Sequence, residues 1–247
     1  MIQFDIISIF PDIFDSYFKE SIIKRALKKG LIKIKIHNLR KYTRDRHNTV
    51  DDKPYGGGLG MVMKIEPIYR AVQDIKKLKA QTSRSASCNR FAIKKNYKLK
   101  TILFSPRGKK FNQKLAYQYS KLDKLILIAG RYEGVDERVA KYIADDVISI
   151  GDYVLMGGEL PSMILIETVA RLIPGVIGKP QLLKERIPVV PGRGGRGFIE
   201  LSQYTRPEIF TAGKNKKWRV PKVLLSGDHK KIETWRKKHG KVIAGLR

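Results

Sequence analysis

The order of apolar and polar positions predicts an α/β chain. Residues 2–10 form an apolar, strand-like run, and after Pro11 apolar side chains recur at helical spacing until Gly30. Residues 31–37 alternate isoleucine with lysine, which is typical of a half-buried strand. Residues 40–61 are rich in charge and glycine and are predicted to be a loop, and the helical period returns over residues 67–78. The first part of the chain is therefore predicted to hold two strands and two amphipathic helices.

Three short runs in the middle of the chain are apolar throughout. They cover residues 101–104, 125–129 and 147–150, and segments that can hold helices separate them. Continuous apolar strands of this kind suit a parallel sheet that is buried on both faces. Residues 159–172 then form a helix that is apolar on most sides, so we expect it to be buried.

Each of these three strands is followed by a loop of small residues. The loops cover residues 105–108, 130–134 and 151–158. Because ligands bind beyond the carboxyl ends of strands in open α/β sheets, three such loops in succession predict one pocket. The alternative is that the glycines only make tight turns.

The remaining segments predict a two-domain chain. Residues 79–100 lack an apolar period and are basic and rich in serine, so we interpret them as a mobile basic insertion in a first domain of residues 1–177. Residues 178–200 combine glycines, prolines and basic side chains, as in a flexible linker. Residues 201–247 then predict a small, basic, helical domain, with a helix beginning near Asp228.

The charge of the chain indicates a polyanionic partner. There are 51 Lys and Arg residues against 23 Asp and Glu, a formal net charge of +28. Such a field attracts nucleic acid, or an anionic membrane, in a salt-dependent way. A membrane is the weaker interpretation, because no apolar stretch approaches the roughly 20 residues of a spanning helix. The chain opens as a strand without a signal-like segment, so we expect a cytoplasmic protein.

Known catalytic and metal-binding motifs are largely missing. The four histidines have no metal-ligand spacing, so we expect them to be solvated and predict no metal site. No Gly-x-Gly-x-x-Gly follows the first strand, and the glycines of residues 56–60 do not continue into a Walker loop. An enzyme acting on RNA and a non-catalytic RNA-binding protein remain. The three glycine-rich loops favour the enzyme, because a plain binder gains nothing from a small-molecule pocket.

Several long motifs resemble the bacterial tRNA (guanine-N1)-methyltransferases, which modify guanosine 37. They are residues 44–58, 130–138, 150–155, 157–161 and 204–208, in that order along nearly the whole chain. The resemblance implies a SPOUT fold, in which helices flank a parallel sheet and the C-terminal region of the domain forms a trefoil knot, a rare exception to unknotted topology. It also implies an obligate homodimer with its active sites at the subunit interface.

The resemblance further implies both substrates and the site of the methyl donor. The donor is S-adenosylmethionine, and the acceptor is tRNA that carries guanosine 37 after guanosine 36. The donor site falls on Phe104, Ser105, Pro106, Gly130, Tyr132, Glu133, Ile150, Gly151, Asp152, Tyr153, Val154, Leu155, Gly157, Gly158 and Pro161. Glycine suits this site, because a Cβ would block the approach of the adenosine to the backbone.

Arg171 matches the arginine that the family places against the target guanine. Guanine N1 carries a proton at neutral pH, so its methylation needs a base and a cation that stabilises negative charge on O6. Arg171 suits the second role, although a salt bridge with Glu167 is the alternative. Lys184, Arg186 and Arg206 are further candidates for contact with tRNA.

The general base is where the sequence departs from the family. Family members carry a linker aspartate, usually followed by Ser-Phe, and the corresponding position here is Arg186. Our hypothesis is that the neighbouring Glu185 removes the proton, with Glu200 as the other linker carboxylate. Glu185 could instead be a surface residue paired with Lys184 or Arg186. A catalytically weakened relative that only binds tRNA is therefore the alternative function. The family also depends on magnesium, but the sequence shows no clear ligand cluster for it.

Overall fold

A five-stranded parallel sheet forms the centre of the fold. The computed structural model describes residues 1–82, 97–179, 198–200, 202–212, 216–239 and 241–243. The first strands along the chain are β1 (Ile2–Ser8), β2 (Ile32–Asn38), β3 (Asp51–Asp52), β4 (Val62–Met63), β5 (Leu99–Lys110), β6 (Lys124–Ile128) and β7 (Asp146–Ser149). In space the central sheet runs in the order β2-β1-β6-β5-β7, and every pair in it is parallel. The predicted parallel α/β architecture is confirmed.

Helices connect these strands. They are α1 (Asp15–Phe18), α2 (Ser21–Lys28), α3 (Ile65–Thr82), α4 (Gln113–Tyr119), α5 (Glu137–Tyr142) and α6 (Glu159–Ala170), with 3-10 turns at Pro11–Phe14 and Leu39–Tyr42. In the described part of the chain, no helix is both long enough and apolar enough to cross a lipid bilayer.

Two hydrophobic clusters explain the apolar pattern of the strands. Phe4 and Leu127 belong to one cluster, together with residues of α2, α4 and α6. Ile7 and Ile126 belong to the other, together with residues of α3 and α5. Every residue of β6 is buried, which accounts for its continuous apolar run.

The bounds of three segments differ from their sequence predictions. The helix expected over 67–78 runs from Ile65 to Thr82, and β5 begins at Leu99, so both ends of the expected insertion belong to regular elements. Residues 83–96 lie outside the described residues. The segment 40–61, expected to be a loop, also contains β3, which pairs with β4.

The first predicted loop lies inside a long strand. In β5, the residues before this loop pair with β7 as far as Phe104, which pairs with Ile148. After the loop, Lys109 pairs with the same Ile148. Residues 105–108 therefore leave the ladder and return to it. The sequence shows small residues at this point, but it does not show that the strand continues beyond them.

The chain divides after Gly178 into a second unit, Lys179–Arg247. Its elements are β8 (Phe198–Glu200), β9 (Ile209–Ala212), β10 (Lys216–Arg219), α7 (Lys222–Leu225), α8 (His229–His239) and β11 (Lys241–Ile243). The predicted helix near Asp228 is α8, and an Asp228 side-chain oxygen accepts a hydrogen bond from the Lys231 N–H at 3.1 Å. The structure adds two antiparallel pairs to the helices, β9 with β10 and β8 with β11.

One histidine is not solvated, so the expectation for His37 is wrong. Its Nε2 lies 2.7 Å from Oδ1 of Asp5, a carboxylate that is only 1% exposed. Nζ of Lys124 lies 3.0 Å from the other oxygen of Asp5. His37 shares a strand face with exposed lysines, but the Leu39–Tyr42 turn covers this end of β2, and the Tyr42 hydroxyl lies 3.4 Å from His37 Nδ1.

Burial and its partners act on Asp5 in opposite directions. Burial raises the pKa of the Asp5 carboxyl, whereas the hydrogen bonds and charges of His37 and Lys124 lower it. The partners outweigh burial, so the pKa lies below its ordinary value of 3.8. A depressed folded-state pKa means that the ionised carboxylate stabilises the fold above that ordinary value. The stabilisation is lost as the pH falls through the folded-state pKa.

We expect Asp5→Asn to lower the free energy of unfolding at neutral pH by about 3 kcal/mol, because it leaves the buried Lys124 ammonium without its counter-charge. The variant should also lose less stability than the wild type between about pH 5 and pH 3. Urea unfolding followed by circular dichroism at several pH values checks both expectations. Asp15→Asn, which removes a 56% exposed carboxylate paired with Lys19, is the control. If the free energy of unfolding falls equally steeply between about pH 5 and pH 3 in the wild type and in Asp5→Asn, the depressed pKa does not belong to Asp5.

Candidate active site

A cavity of about 620 Å³ opens at the carboxyl ends of β6 and β7 and beside residues 103–107 within β5. Its size falls within the range of small-molecule sites. The lining takes residues from all three predicted loops. Of the residues expected for the donor site, it includes Phe104, Ser105, Pro106, Gly130, Tyr132, Glu133, Ile150, Tyr153, Val154, Leu155, Gly157, Gly158 and Pro161. The structure therefore brings together residues from separate motifs.

Two of the expected residues lie next to the cavity but outside its lining. The Asp152 carboxylate accepts a hydrogen bond from Lys110 Nζ, which ties the third loop to the end of β5. The Gly151 carbonyl accepts a hydrogen bond from Ser149 Oγ at 2.9 Å. Both residues shape the turn that leads from β7 into the lining.

The second and third loops meet backbone to backbone. The N–H of Gly158 donates to the carbonyl of Gly130 at 2.9 Å. A Cβ at Gly158 would stand 2.6 Å from Cα of Ala129 and 2.9 Å from N of Gly130, which no ordinary side-chain contact allows. Only glycine lets the chain return this closely to the end of β6.

The loop after β6 has a strained backbone held by its neighbours. Tyr132 has φ +59°, the left-handed region that side chains other than glycine rarely adopt. The residues around it are fixed, because the N–H of Glu133 donates to the Met61 carbonyl at 3.1 Å and the N–H of Arg131 contacts Met63 Sδ at 3.1 Å. Strain of this kind is concentrated at functional sites, where the surrounding structure enforces it.

Other lining residues were not assigned to the site from the sequence. Arg107 and Glu137 form an ion pair of 2.6 Å at the cavity, with both side chains largely exposed. Val135, Ala140 and Val147 contribute an apolar wall. Glu137 starts α5 and lies in the motif 130–138, so this motif could have identified it from the sequence. The sequence does not distinguish the apolar wall, because side chains of the hydrophobic core are of the same types. The cavity thus offers apolar surface together with polar groups.

Arg171 lies at the carboxyl end of α6 and is partly exposed. Among the described residues, its guanidinium has no hydrogen-bond or ion-pair partner. Glu167, the alternative partner from the sequence, accepts a hydrogen bond from the Tyr17 hydroxyl instead. Burial, with added effects of Glu167, raises the pKa of Tyr17 to about 12, so the hydroxyl keeps its proton at neutral pH.

The remaining candidates fall outside the described residues or in the second unit. Lys184, Glu185 and Arg186 lie outside the described residues. Glu200 belongs to β8, and Arg206 is exposed in the second unit. In the described ranges, no group of three or more His, Cys, Asp or Glu side chains is placed to hold a metal ion.

The sheet and its cavity define a parallel α/β protein with a cavity of small-molecule size at one edge of its sheet. The family described as tRNA (Guanine-1)-methyltransferase TrmD matches residues 2–244. The chain belongs to this family.

Curated relatives agree over most of their length. A tRNA (guanine-N(1)-)-methyltransferase of Dictyoglomus turgidum is 48% identical over 238 residues, which cover 96% of this chain and 84% of the relative. The enzyme of the same name from Carboxydothermus hydrogenoformans is 46% identical over 236 residues, covering 96% and 81%. That of Dehalococcoides mccartyi is 42% identical over 236 residues, covering 96% and 84%.

Proposed function

We propose that this chain transfers a methyl group from S-adenosylmethionine to N1 of guanosine 37 in tRNA, beside the anticodon. The observation that carries the proposal is the cavity, which the three loops build at one edge of the sheet in a member of this methyltransferase family. The relatives' shared name, tRNA (guanine-N(1)-)-methyltransferase, supports the acceptor and the reaction class.

The cavity suits S-adenosylmethionine in size and in the character of its lining. Its apolar wall would take the adenine ring, while backbone groups of Gly130 and its neighbours would bind the polar edges. When bound, the donor would supply an electrophilic methyl group on sulfur. The residues of the chain would bind and orient it and exclude water from it. No residue is assigned to magnesium.

The charge of the chain suits tRNA as the second substrate. A net charge of +28 provides many contacts to phosphate and a binding constant that falls with salt. The last turn of α8 is basic, with Arg236, Lys237, Lys238 and His239. We assign Lys184, Arg186 and Arg206 to the same partner. With tRNA as the substrate, we infer that the protein acts in the cytoplasm.

Chemistry at guanine N1 needs two groups from the protein. Negative charge develops on O6 as the N1 proton leaves, and the Arg171 guanidinium, without a partner among the described residues, would stabilise it. We assign proton removal to Glu185 in the linker. The target base has to be unstacked, because its N1 edge must face the methyl group.

We propose a homodimer, and the exposed stripe of α6 supports it. Leu160 and Ile164 are 53% and 42% exposed, although most of the helix is buried. The spacing of Leu160, Ile164, Glu167 and Arg171 puts them on one face of the helix. Apolar surface of this kind marks an interface, and a twofold dimer pairs the same patch on both chains. A second copy on this stripe would bring Arg171 to an active site at the subunit interface.

We expect the protein to transfer label from methyl-labelled S-adenosylmethionine to tRNA that carries guanosine 36 and 37. Nuclease digestion and mass mapping should place the label on N1 of guanosine 37. A matched tRNA with adenosine at position 37 is the control and should stay unlabelled. If the protein binds tRNA but N1 of guanosine 37 carries no label, the proposal is wrong. The chain would then be a weakened relative that only binds RNA.

The two catalytic assignments predict losses in single-turnover rate. Arg171→Gln should slow methyl transfer about 100-fold, because one charged donor to the developing oxyanion is lost. Glu185→Gln should slow it about 100-fold or more, because the base is removed. Arg25→Gln, on the exposed side of α2, is the control for loss of one positive charge. If Glu185→Gln and Glu200→Gln both keep near-normal rates, the linker-carboxylate hypothesis is wrong.

The stripe predicts that Ile164→Glu converts the dimer to a monomer and abolishes methylation. Burial of an unpaired charge at the interface provides the physical reason. Sedimentation equilibrium gives the mass of the assembly. Tyr142→Glu changes a 70% exposed aromatic residue of α5 and should leave the dimer intact. A monomeric wild type, or an Ile164→Glu variant that remains a dimer, would refute this interface.

A further inference from the structure

We propose that Arg131, Glu159 and Ser8 form a positioning unit that holds the second and third loops of the cavity at their working separation. This unit does not supply a reacting group. Arg131 also lines the cavity, whereas Glu159 and Ser8 lie outside its lining. The unit acts through the backbone of the two loops, and Glu159 and Ser8 are its positioning residues for the methyl donor. The inference rests on the proposed binding of S-adenosylmethionine in this cavity.

Glu159 is a fully buried carboxylate with two partners from distant parts of the chain. It is 1% exposed, and its Oε2 accepts a hydrogen bond from Arg131 Nε at 2.9 Å. Its Oε1 accepts a hydrogen bond from Ser8 Oγ at 2.7 Å. Ser8 ends β1, Arg131 belongs to the second loop, and Glu159 opens α6. The carboxylate therefore connects three elements around the cavity.

The partners of Glu159 are themselves held in place. The N–H of Phe10 donates a hydrogen bond to Ser8 Oγ at 2.9 Å, so the Ser8 hydroxyl directs its proton toward Glu159. The Arg131 guanidinium lies over the Phe10 ring, 4.8 Å from its centroid. These contacts restrain both groups and, through them, the position of the carboxylate.

The unit lies directly beside the contact of the two loops. Arg131 follows Gly130, and Glu159 follows Gly158, the two residues joined by the backbone hydrogen bond of 2.9 Å. A Cβ at Gly157 would stand 2.4 Å from Arg131 Nε and 2.6 Å from Glu159 Oε2. The ion pair thus fills the space that a side chain at position 157 would need. It explains why the loop has glycine there.

A buried ion pair on its own often adds little to the stability of a fold. Transfer of its two charges out of water costs free energy, whereas burial of an apolar pair does not, so the net stabilisation is small. Their advantage is a single, directed geometry. Glu159 also lies at the first turn of α6, where the helix dipole favours a negative charge. A site that must hold two glycine-rich loops at a fixed distance has a use for that geometry.

The test compares donor binding in variants of the unit with a variant that breaks a different buried cluster. Glu159→Gln and Arg131→Met should raise the dissociation constant of S-adenosylmethionine about tenfold or more, measured by isothermal titration calorimetry without tRNA. Arg131→Lys should restore part of the affinity, since its ammonium keeps the charge. Asp5→Asn is the matched control, because Asp5 is equally buried and outside the cavity lining. It should bind the donor within about twofold of the wild type.

A second readout does not use the donor. Hydrogen exchange of the Gly158 amide should become faster in Glu159→Gln but stay unchanged in Asp5→Asn, because only the first releases the two loops. In steady-state assays, the KM for the donor should rise more than kcat falls. Ser8→Ala removes one hydrogen bond and keeps the charges, so it serves if the stronger variants do not fold.

The outcomes separate this inference from the function on which it rests. A wild type that does not bind S-adenosylmethionine would refute the proposed function, while the exchange data still report on the unit. If the wild type binds and Glu159→Gln, Arg131→Met and Ser8→Ala bind equally well, the positioning role is wrong. It is also wrong if Asp5→Asn loses as much affinity as Glu159→Gln, because a general loss of stability would then explain both.

Discussion

The close approach of Gly158 to the Ala129–Gly130 backbone is the constraint on which the cavity depends. Parallel pairing brings residues 103–107 of β5 and the ends of β6 and β7 to one edge of the sheet, but it does not by itself join their loops. The hydrogen bond from Gly158 to Gly130 makes that join, and a Cβ at position 158 would prevent it. The helix α6 starts directly after this contact, at Glu159.

The sequence was most informative where one local pattern had one structural cause. The apolar runs predicted β5, β6 and β7, because strands buried on both faces have no polar side. The glycine-rich segments predicted where the chain would turn. The register shift in β5 had no such signal, since it depends on pairing with β7, which follows it by more than thirty residues. The strand's continuation to Lys110 is a tertiary effect.

Buried charges show the same limit of local patterns. His37 follows exposed lysines at strand spacing, and only the covering turn and Asp5 remove it from solvent. Glu159 opens a helix, where a carboxylate is usually solvated, yet Ser8 lies 151 positions away in sequence and Arg131 lies 28 away. Likewise, the average hydrophobicity of α6 predicted burial but could not indicate that Leu160 and Ile164 stay exposed. Contacts over such separations cannot be found from periodicity.

The carboxylates around the cavity bear on where a base for guanine N1 could come from. Among those that the structure describes, Glu137 is paired with Arg107, Asp152 with Lys110, and Glu159 with Arg131. Glu133 packs against Gly60, where a Cβ would stand 2.6 Å from its Cγ. Each of the first three carboxylates already has a cation partner. The proposed base therefore comes from another segment, the linker that contains Glu185. If a second copy packs on the α6 stripe, Arg171 would lie near residues of the partner subunit.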